Sequence, residues 1–176
     1  MDDTPAATDQ PQISTHRHLP LVVIGIAALV LLADQLTKAW AVSALTGRNP
    51  VNLVGSLLRL NLIRNSGAAF SFATGMTWIF TLIATVVAVV IIRLSRRLGS
   101  VGWSVALGLL LGGALGNLVD RLFRAPGFAV GHVVDFLELP HWPVFNVADS
   151  CIVASAVLIG LLGLRGIGAD GSRISG

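Results

Sequence analysis

Two long runs without a charged residue constrain this chain most strongly. No Asp, Glu, Lys or Arg occurs from Asn65 to Ile92 or from Leu98 to Val119. Each run exceeds the roughly 20 residues that a helix needs to cross the hydrocarbon core of a bilayer. The composition agrees, because 54% of the residues are hydrophobic and only 12% are charged. A soluble fold has about twice that charged fraction, so we expect a membrane protein.

Two further apolar stretches reach spanning length only when ionisable residues are included. Residues 19 to 42 contain Asp34 and Lys38, and residues 143 to 164 carry Asp149 near their start. The first stretch also resembles a cleavable signal peptide. That alternative is weaker, because Asp34 and Lys38 would lie between the apolar run and the cleavage site and the preceding segment is acidic. The sequence therefore predicts an all-α integral membrane protein with four transmembrane helices.

Charge also predicts how these helices are oriented. The connection Arg93–Arg97, between helices two and three, contains three Arg in five residues. Short connections rich in Arg and Lys stay on the cytoplasmic side, so both termini are expected there as well. The polar ends predict a disordered N-terminal tail (residues 1–18) and a flexible C-terminal tail (residues 166–176) around a membrane domain of residues 19–165.

The two outer connections differ in their expected structure. Residues 44–64 alternate apolar and polar side chains between glycines and a proline. That pattern predicts a few short strands on the membrane surface, so a small extracytoplasmic β element separates helices one and two. Residues 123–143 contain three prolines and two glycines, which indicates an irregular connection.

Five acidic residues lie outside the tails, all toward the outer side: Asp34, Asp120, Asp135, Glu138 and Asp149. A carboxylate at or inside the bilayer costs a few kcal/mol, so each requires a partner or a function. The i,i+4 spacing of Asp34 and Lys38 is that of a favourable helical ion pair.

Helix three carries two motifs with four-residue spacing. A ladder of small residues favours close approach of another helix: Gly108, Gly112 and Gly116. A neighbouring face places an amide and a guanidinium at the outer end: Gly113, Asn117 and Arg121.

Asp135 and Asp149 each have a structural interpretation and a catalytic one. Asn146 is a good N-cap for helix four, Asp149 three residues later favours the positive end of the helix dipole, and Asp135 suits an exposed loop. However, Pro140 and Pro143 lie between the two acids, so the chain can fold back and bring the carboxylates together. Such a pair shares one proton, and one member activates water while the other protonates a scissile carbonyl.

Other chemistries lack their sequence motifs. The chain has no HExxH, Walker, GxSxG or GxGD motif, and its single cysteine excludes a disulfide framework or a thiolate zinc cluster. We therefore expect no metal, no cofactor and no nucleic-acid partner. Two alternatives stay open: a non-catalytic transporter or assembly factor, with polar groups near the midplane, and a GxGD-type intramembrane protease.

Five sequence blocks, in order, resemble those of the lipoprotein signal peptidase (signal peptidase II) family. They are DQLTK at 34–38, NSGAAF at 65–70, GGALGNLVDR at 112–121, VVDF at 133–136 and FNVADS at 145–150. The resemblance implies an aspartyl endopeptidase of the bacterial plasma (inner) membrane, with its active site toward the outer leaflet. Such enzymes remove signal peptides from diacylglyceryl-modified prolipoproteins by cleaving N-terminal to the lipidated cysteine.

The resemblance also implies residue roles. Asp135 and Asp149 would form the catalytic pair that activates water. Supporting or substrate-binding roles would belong to Asp34, Lys38, Asn65, Gly113, Asn117, Arg121, Asn146 and Ala148. The expected partners are prolipoprotein substrates and membrane lipid, and the expected state is a monomer without cofactor.

Overall fold

Four helices and a three-stranded sheet make up the computed structural model, which describes residues 18–67 and 77–173. The helices are α1 (Leu19–Leu45), α2 (Thr77–Ser95), α3 (Val101–Phe123) and α4 (Val147–Leu164). The strands are β1 (Val51–Val54), β2 (Leu58–Asn65) and β3 (Val133–Glu138). All four helices are long and apolar enough to cross a membrane. The predicted four-helix membrane fold is confirmed.

Helix α3 occupies the centre of the bundle and contacts the other three helices. Its glycine ladder allows α1 to approach closely. A Cβ atom added to Gly108 would lie 2.8 Å from Ile26 Cβ, and one added to Gly112 would lie 2.6 Å from Val30 Cβ. The predicted packing role of the ladder is therefore confirmed.

The lipid-facing side of the bundle is apolar. Buried positions of α1 recur every three or four residues, as in Val23, Ala27 and Val30. The intervening positions carry large apolar side chains that are exposed, such as Leu29 at 69% and Leu32 at 57%. Exposed leucines at this density suit a hydrocarbon solvent, in which burying them against protein brings little gain.

The sheet lies at one end of the bundle, with antiparallel strands in the order β1-β2-β3. Strands β1 and β2 confirm the β element predicted between the first two helices. The irregular connection predicted for residues 123–143 was wrong, because β3 lies within it and pairs Asp135 with Ile63 of β2. The prolines flank this strand, and its pairing with a distant strand is not visible in local composition.

The C-terminal segment folds against the connection between α2 and α3. The backbone N–H of Gly99 donates to the Ala169 carbonyl at 2.9 Å, and the Trp103 indole donates to the Ile167 carbonyl at 2.8 Å. Part of the tail predicted from the sequence, at residues 167 and 169, is therefore hydrogen-bonded to the rest of the protein. The predicted N-terminal tail, apart from residue 18, lies outside the described residues, as do residues 174–176. The division into one domain and two tails stays a prediction.

Candidate active site

The first turn of α4 begins with a reciprocal cap. The Asn146 side-chain oxygen accepts a hydrogen bond from the Asp149 backbone N–H at 2.9 Å, and the Asp149 carboxylate accepts one from the Asn146 backbone N–H at 3.2 Å. This capping box satisfies two donors at the helix end. The N-cap role predicted for Asn146 is confirmed, and the cap fixes the Asp149 side chain relative to the helix.

Asn146 also connects α4 to the other acid. Its side-chain Nδ2 donates to Asp135 Oδ1 at 2.7 Å and to Asn117 Oδ1 at 3.2 Å. One fully buried asparagine therefore contacts Asp135 through its side chain and Asp149 through its cap. The two carboxylates predicted to face each other are held on the same side of the bundle, around Asn146.

Asp135 occupies a nearly closed environment, with only 2% of its surface exposed. Its second carboxylate oxygen accepts a hydrogen bond from Asn65 Nδ2 at 2.9 Å. Burial raises the pKa of the Asp135 carboxyl to about 6; the nearby charge of Asp149 adds to this increase, and the amide donors of Asn65 and Asn146 oppose it. A carboxyl group in this state holds a proton far more readily than an exposed one.

Asp149 has different surroundings. Its side chain is partly exposed, and Asn117 Nδ2 donates to its Oδ1 at 2.8 Å. It also lies in the first turn of α4, where unpaired backbone N–H groups create a positive potential. The two acids are therefore not equivalent: Asp135 is enclosed by neutral amides, and Asp149 is partly exposed at a helix N-terminus.

A buried network of charges lies beneath the two acids. Lys38 Nζ lies 2.8 Å from Asp34 Oδ2 and 3.0 Å from Asp120 Oδ2, and all three side chains are fully buried. Arg124 Nε pairs with the other Asp120 oxygen at 2.6 Å, so two positive charges balance two negative ones. Lys38 Nζ also donates to Asn117 Oδ1 at 3.0 Å, which leaves the Asn117 amide N–H groups directed to Asp149. The predicted Asp34–Lys38 pair is confirmed within this larger network.

Asp34 holds the backbone next to Asp149. Its Oδ1 accepts a hydrogen bond from the backbone N–H of Ala148 at 2.9 Å. The approach is possible only because helix α3 carries glycine here. A Cβ at Gly116 would lie 2.6 Å from Asp34 Oδ2, and a Cβ at Gly113 would lie 2.6 Å from the Ala148 carbonyl oxygen.

Asp120 does the same for Asp135. Its Oδ2 accepts a hydrogen bond from the backbone N–H of Val134 at 3.0 Å. Gln35 Nε2 joins the two anchors, since it donates to Asp34 Oδ2 and to Asp120 Oδ1, each at 3.2 Å. Each buried carboxylate therefore accepts a hydrogen bond from the backbone N–H of the residue that precedes one of the two acids.

Arg121 lies close to this cluster and is buried. It is 8% exposed, and its guanidinium carbon lies 5.0 Å from the centre of the Phe80 ring. Its charge is within electrostatic range of Asp135 and Asp149. Among the described residues, no group accepts a hydrogen bond from Arg121 Nη1.

A pocket of about 250 Å³ opens beside Asp135. It is formed where β2 ends and where the chain returns toward α4. Its lining residues are Ile63, Arg64, Asn65, Ser66, Asp135, Pro143 and Val144. Of the two acids, only Asp135 contributes to this lining, so a ligand in the pocket meets Asp135 first. Within residues 18–67 and 77–173, no three His, Cys, Asp or Glu side chains are grouped as a metal ion requires.

Known proteins share both the sequence and the fold. A family model described as signal peptidase (SPase) II matches residues 26–165. The lipoprotein signal peptidase of Rhodococcus jostii (strain RHA1) is 52% identical over 172 residues, which are 98% of this chain and 86% of that protein. This chain belongs to the signal peptidase II family.

Other relatives agree with this assignment. The lipoprotein signal peptidase of Mycobacterium avium (strain 104) is 51% identical over 170 residues, which are 97% of this chain and 93% of that protein. A bacterial membrane enzyme solved by the in meso method at 1.9 Å resolution superposes with a TM-score of 0.72 at 28% identity, covering 81% of this chain and 92% of its own. The signal peptidase II chain is thus a multi-pass membrane aspartic protease, and neither the transporter nor the GxGD alternative holds.

Sequence reasoning missed three members of the peptidase's charge network. Asp120 is one of the five acids outside the tails, but the sequence predicts no role for it, and it predicts none for Gln35 or Arg124. Asp120 and Arg124 have the same i,i+4 spacing, acid first, that identified Asp34 and Lys38, so that signal was available. Gln35 has no such signal, because its role depends on the contact between α1 and α3.

Proposed function

We propose that this chain removes signal peptides from lipoproteins as an aspartyl endopeptidase, with Asp135 and Asp149 as the catalytic pair. The cleaved bond in this proposal lies N-terminal to a cysteine that carries a diacylglyceryl group. The observation that carries the proposal is the shared contact with Asn146, which donates to Asp135 at 2.7 Å and caps Asp149. Family membership supports the same activity.

The unequal surroundings of the two acids support unequal roles. Asp149 accepts charge-stabilising hydrogen bonds at a helix N-terminus, so it is the base that removes a proton from water. The water oxygen then attacks the scissile carbonyl carbon. Asp135, whose raised pKa of about 6 favours its protonated form, donates its proton to the carbonyl oxygen. The resulting diol collapses when the proton held by Asp149 passes to the leaving amine, the C–N bond breaks, and Asp135 takes back a proton from one of the diol hydroxyls.

The remaining site residues support this pair in distinct ways. Asn65, Asn117 and Asn146 orient the two carboxylates through the hydrogen bonds described above. Asp34 and Lys38 hold the start of α4 and the Asn117 amide. Arg121 supplies positive charge near the oxygen atoms that become negative during attack.

In this proposal, Gly113 and Ala148 allow close packing at the start of α4. Gly113 and Ala148 let α3 and α4 approach, because any side chain at 113 would strike the Ala148 carbonyl. A larger side chain at either position would displace Asp149 relative to Asp135.

The location of the site suits a substrate anchored in the membrane. We place the sheet end of the bundle at the outer leaflet, because the arginine-rich connection at the opposite end belongs on the cytoplasmic side. A signal sequence that spans the bilayer and a lipid attached to the cysteine would hold the scissile bond at that surface. The pocket beside Asp135 would then receive the peptide.

The test is cleavage of a purified, diacylglyceryl-modified prolipoprotein by purified variants. Asp135→Asn and Asp149→Asn should each abolish cleavage, because an amide can neither take a proton from water nor donate one as an acid. Glu138→Gln is the matched control, since it changes a carboxylate on the same strand whose nearest cation is 3.8 Å away. Substantial cleavage by either Asn variant, in protein that retains its fold, would refute the pair.

A further inference from the structure

Three arginines cluster at the end of α2 that lies farthest from the two acids. Helix α2 begins at Thr77, whose hydroxyl donates to the Ser66 carbonyl beside the candidate active site. It contains 19 residues, with Arg93 in its last turn and Arg96 and Arg97 in the connection that follows. All three arginines are exposed. Within the part of the chain that the structure describes, none forms an ion pair with a carboxylate.

These arginines line one pocket. Its volume is about 490 Å³, and the other lining residues are Val90 and Leu94. Val90, Arg93 and Leu94 lie on one face of the last turns of α2, and Arg96 and Arg97 follow in the connection, so the pocket combines guanidinium groups with apolar side chains. A cytoplasmic preference for arginine accounts for positive charge in this connection, but it does not require the three side chains to share a cavity with apolar walls.

We propose that Arg93, Arg96 and Arg97 form a headgroup site for an anionic phospholipid of the cytoplasmic leaflet. Guanidinium groups bind phosphate oxygens through paired hydrogen bonds, and basic pockets on this side of membrane proteins bind acidic headgroups. Val90 lies about one turn of α2 closer to the bilayer core than Arg93, and Leu94 lies at the level of Arg93. In this proposal both side chains contact the start of an acyl chain. The apolar wall favours a lipid over free phosphate, which has no group to place there.

Equilibrium binding of a fluorescent phosphatidylglycerol to the purified full-length protein in a zwitterionic detergent tests the site. Unlabelled phosphatidylglycerol should displace the probe at least tenfold better than phosphatidylcholine with the same acyl chains, and millimolar inorganic phosphate should not displace it. The triple variant R93Q/R96Q/R97Q should bind about 100-fold more weakly, since each arginine near a membrane surface contributes roughly a fivefold factor.

Two further variants separate this site from general charge effects. R48Q/R165Q/R173Q removes three exposed arginines elsewhere and should bind the probe within twofold of the unmodified protein. If the triple arginine variant inserts or folds poorly, R97Q alone should weaken binding about fivefold. Equal losses in the two triple variants, equal displacement by phosphatidylcholine or by phosphate, or unchanged binding in R97Q would each overturn the proposal.

Discussion

Lys38 is the residue at which the buried charge network is most vulnerable. Its ammonium lies 2.8 Å from Asp34 and 3.0 Å from Asp120, and no part of these side chains reaches solvent. Lys38→Met keeps an unbranched side chain that is shorter by one atom and removes the charge. Asp120 then keeps the Arg124 guanidinium as its partner, whereas Asp34 loses its ion-pair partner.

The cost of this change is large because a charge is left without its partner. Removing one member of a buried ion pair costs about 3–5 kcal/mol. For a chain of this length, roughly 2–4 °C of unfolding midpoint is lost per kcal/mol, so we expect a decrease of about 6–20 °C. The thermal unfolding midpoint of the purified protein in detergent, followed by circular dichroism of the helices, measures this decrease.

A second substitution should restore part of the loss. In Asp34→Asn/Lys38→Met the charges are balanced again, because Asp120 keeps Arg124. The new amide oxygen at position 34 still accepts the hydrogen bond from Ala148. We therefore expect the double variant to unfold at a higher temperature than Lys38→Met alone, with a coupling of up to about 3 kcal/mol.

The partly exposed Arg59–Glu138 pair provides the control. Arg59→Met removes a cation that is 41% exposed and 3.8 Å from Glu138, and loss of such a surface pair costs at most about 1 kcal/mol. A Lys38→Met protein that unfolds within 2 °C of the unmodified chain would refute the argument. A double variant less stable than Lys38→Met would refute it as well.

Two further predictions concern the pH dependence and the helix packing. Asp135 binds protons more tightly when folded, because its pKa rises from 3.8 to about 6. Its contribution to stability is therefore complete below pH 4 and falls by about 3 kcal/mol as the pH rises through 6. Asp135→Asn should abolish that fall in urea unfolding curves, and kcat/KM of the unmodified enzyme should decrease above an apparent pKa near 6. Gly112→Ala should cost about 1–3 kcal/mol, because its Cβ would lie 2.6 Å from Val30 Cβ. Gly160→Ala meets nothing within 4 Å and should not lower the unfolding midpoint, because alanine favours a helix more than glycine does.

Features that depend on local spacing could be predicted from the sequence. Charge-free runs predicted two of the helices, and apolar stretches that contain Asp34, Lys38 or Asp149 predicted the other two. The i,i+4 rule predicted the Asp34–Lys38 pair, and the N-cap preference predicted the role of Asn146. Strand β3 was missed because its stability comes from pairing with β2, about 70 residues earlier in the chain, and nothing in the proline-rich connection indicates that pairing. Gln35 was missed for the same kind of reason, because its partners Gly116 and Asp120 lie on another helix.

The charge network explains how two acids from separate elements keep a fixed separation. Helices in lipid gain little from apolar burial against one another, so close packing and polar contacts must determine their arrangement. Asp34 binds the N–H of the residue before Asp149, Asp120 binds the N–H of the residue before Asp135, and Lys38 lies between the two anchors. Any displacement of α4 relative to β3 must lengthen one of these buried charged contacts. The energetic penalty for that lengthening is what holds the proposed catalytic geometry, and it accounts for fully ionic residues in a bundle that otherwise avoids them.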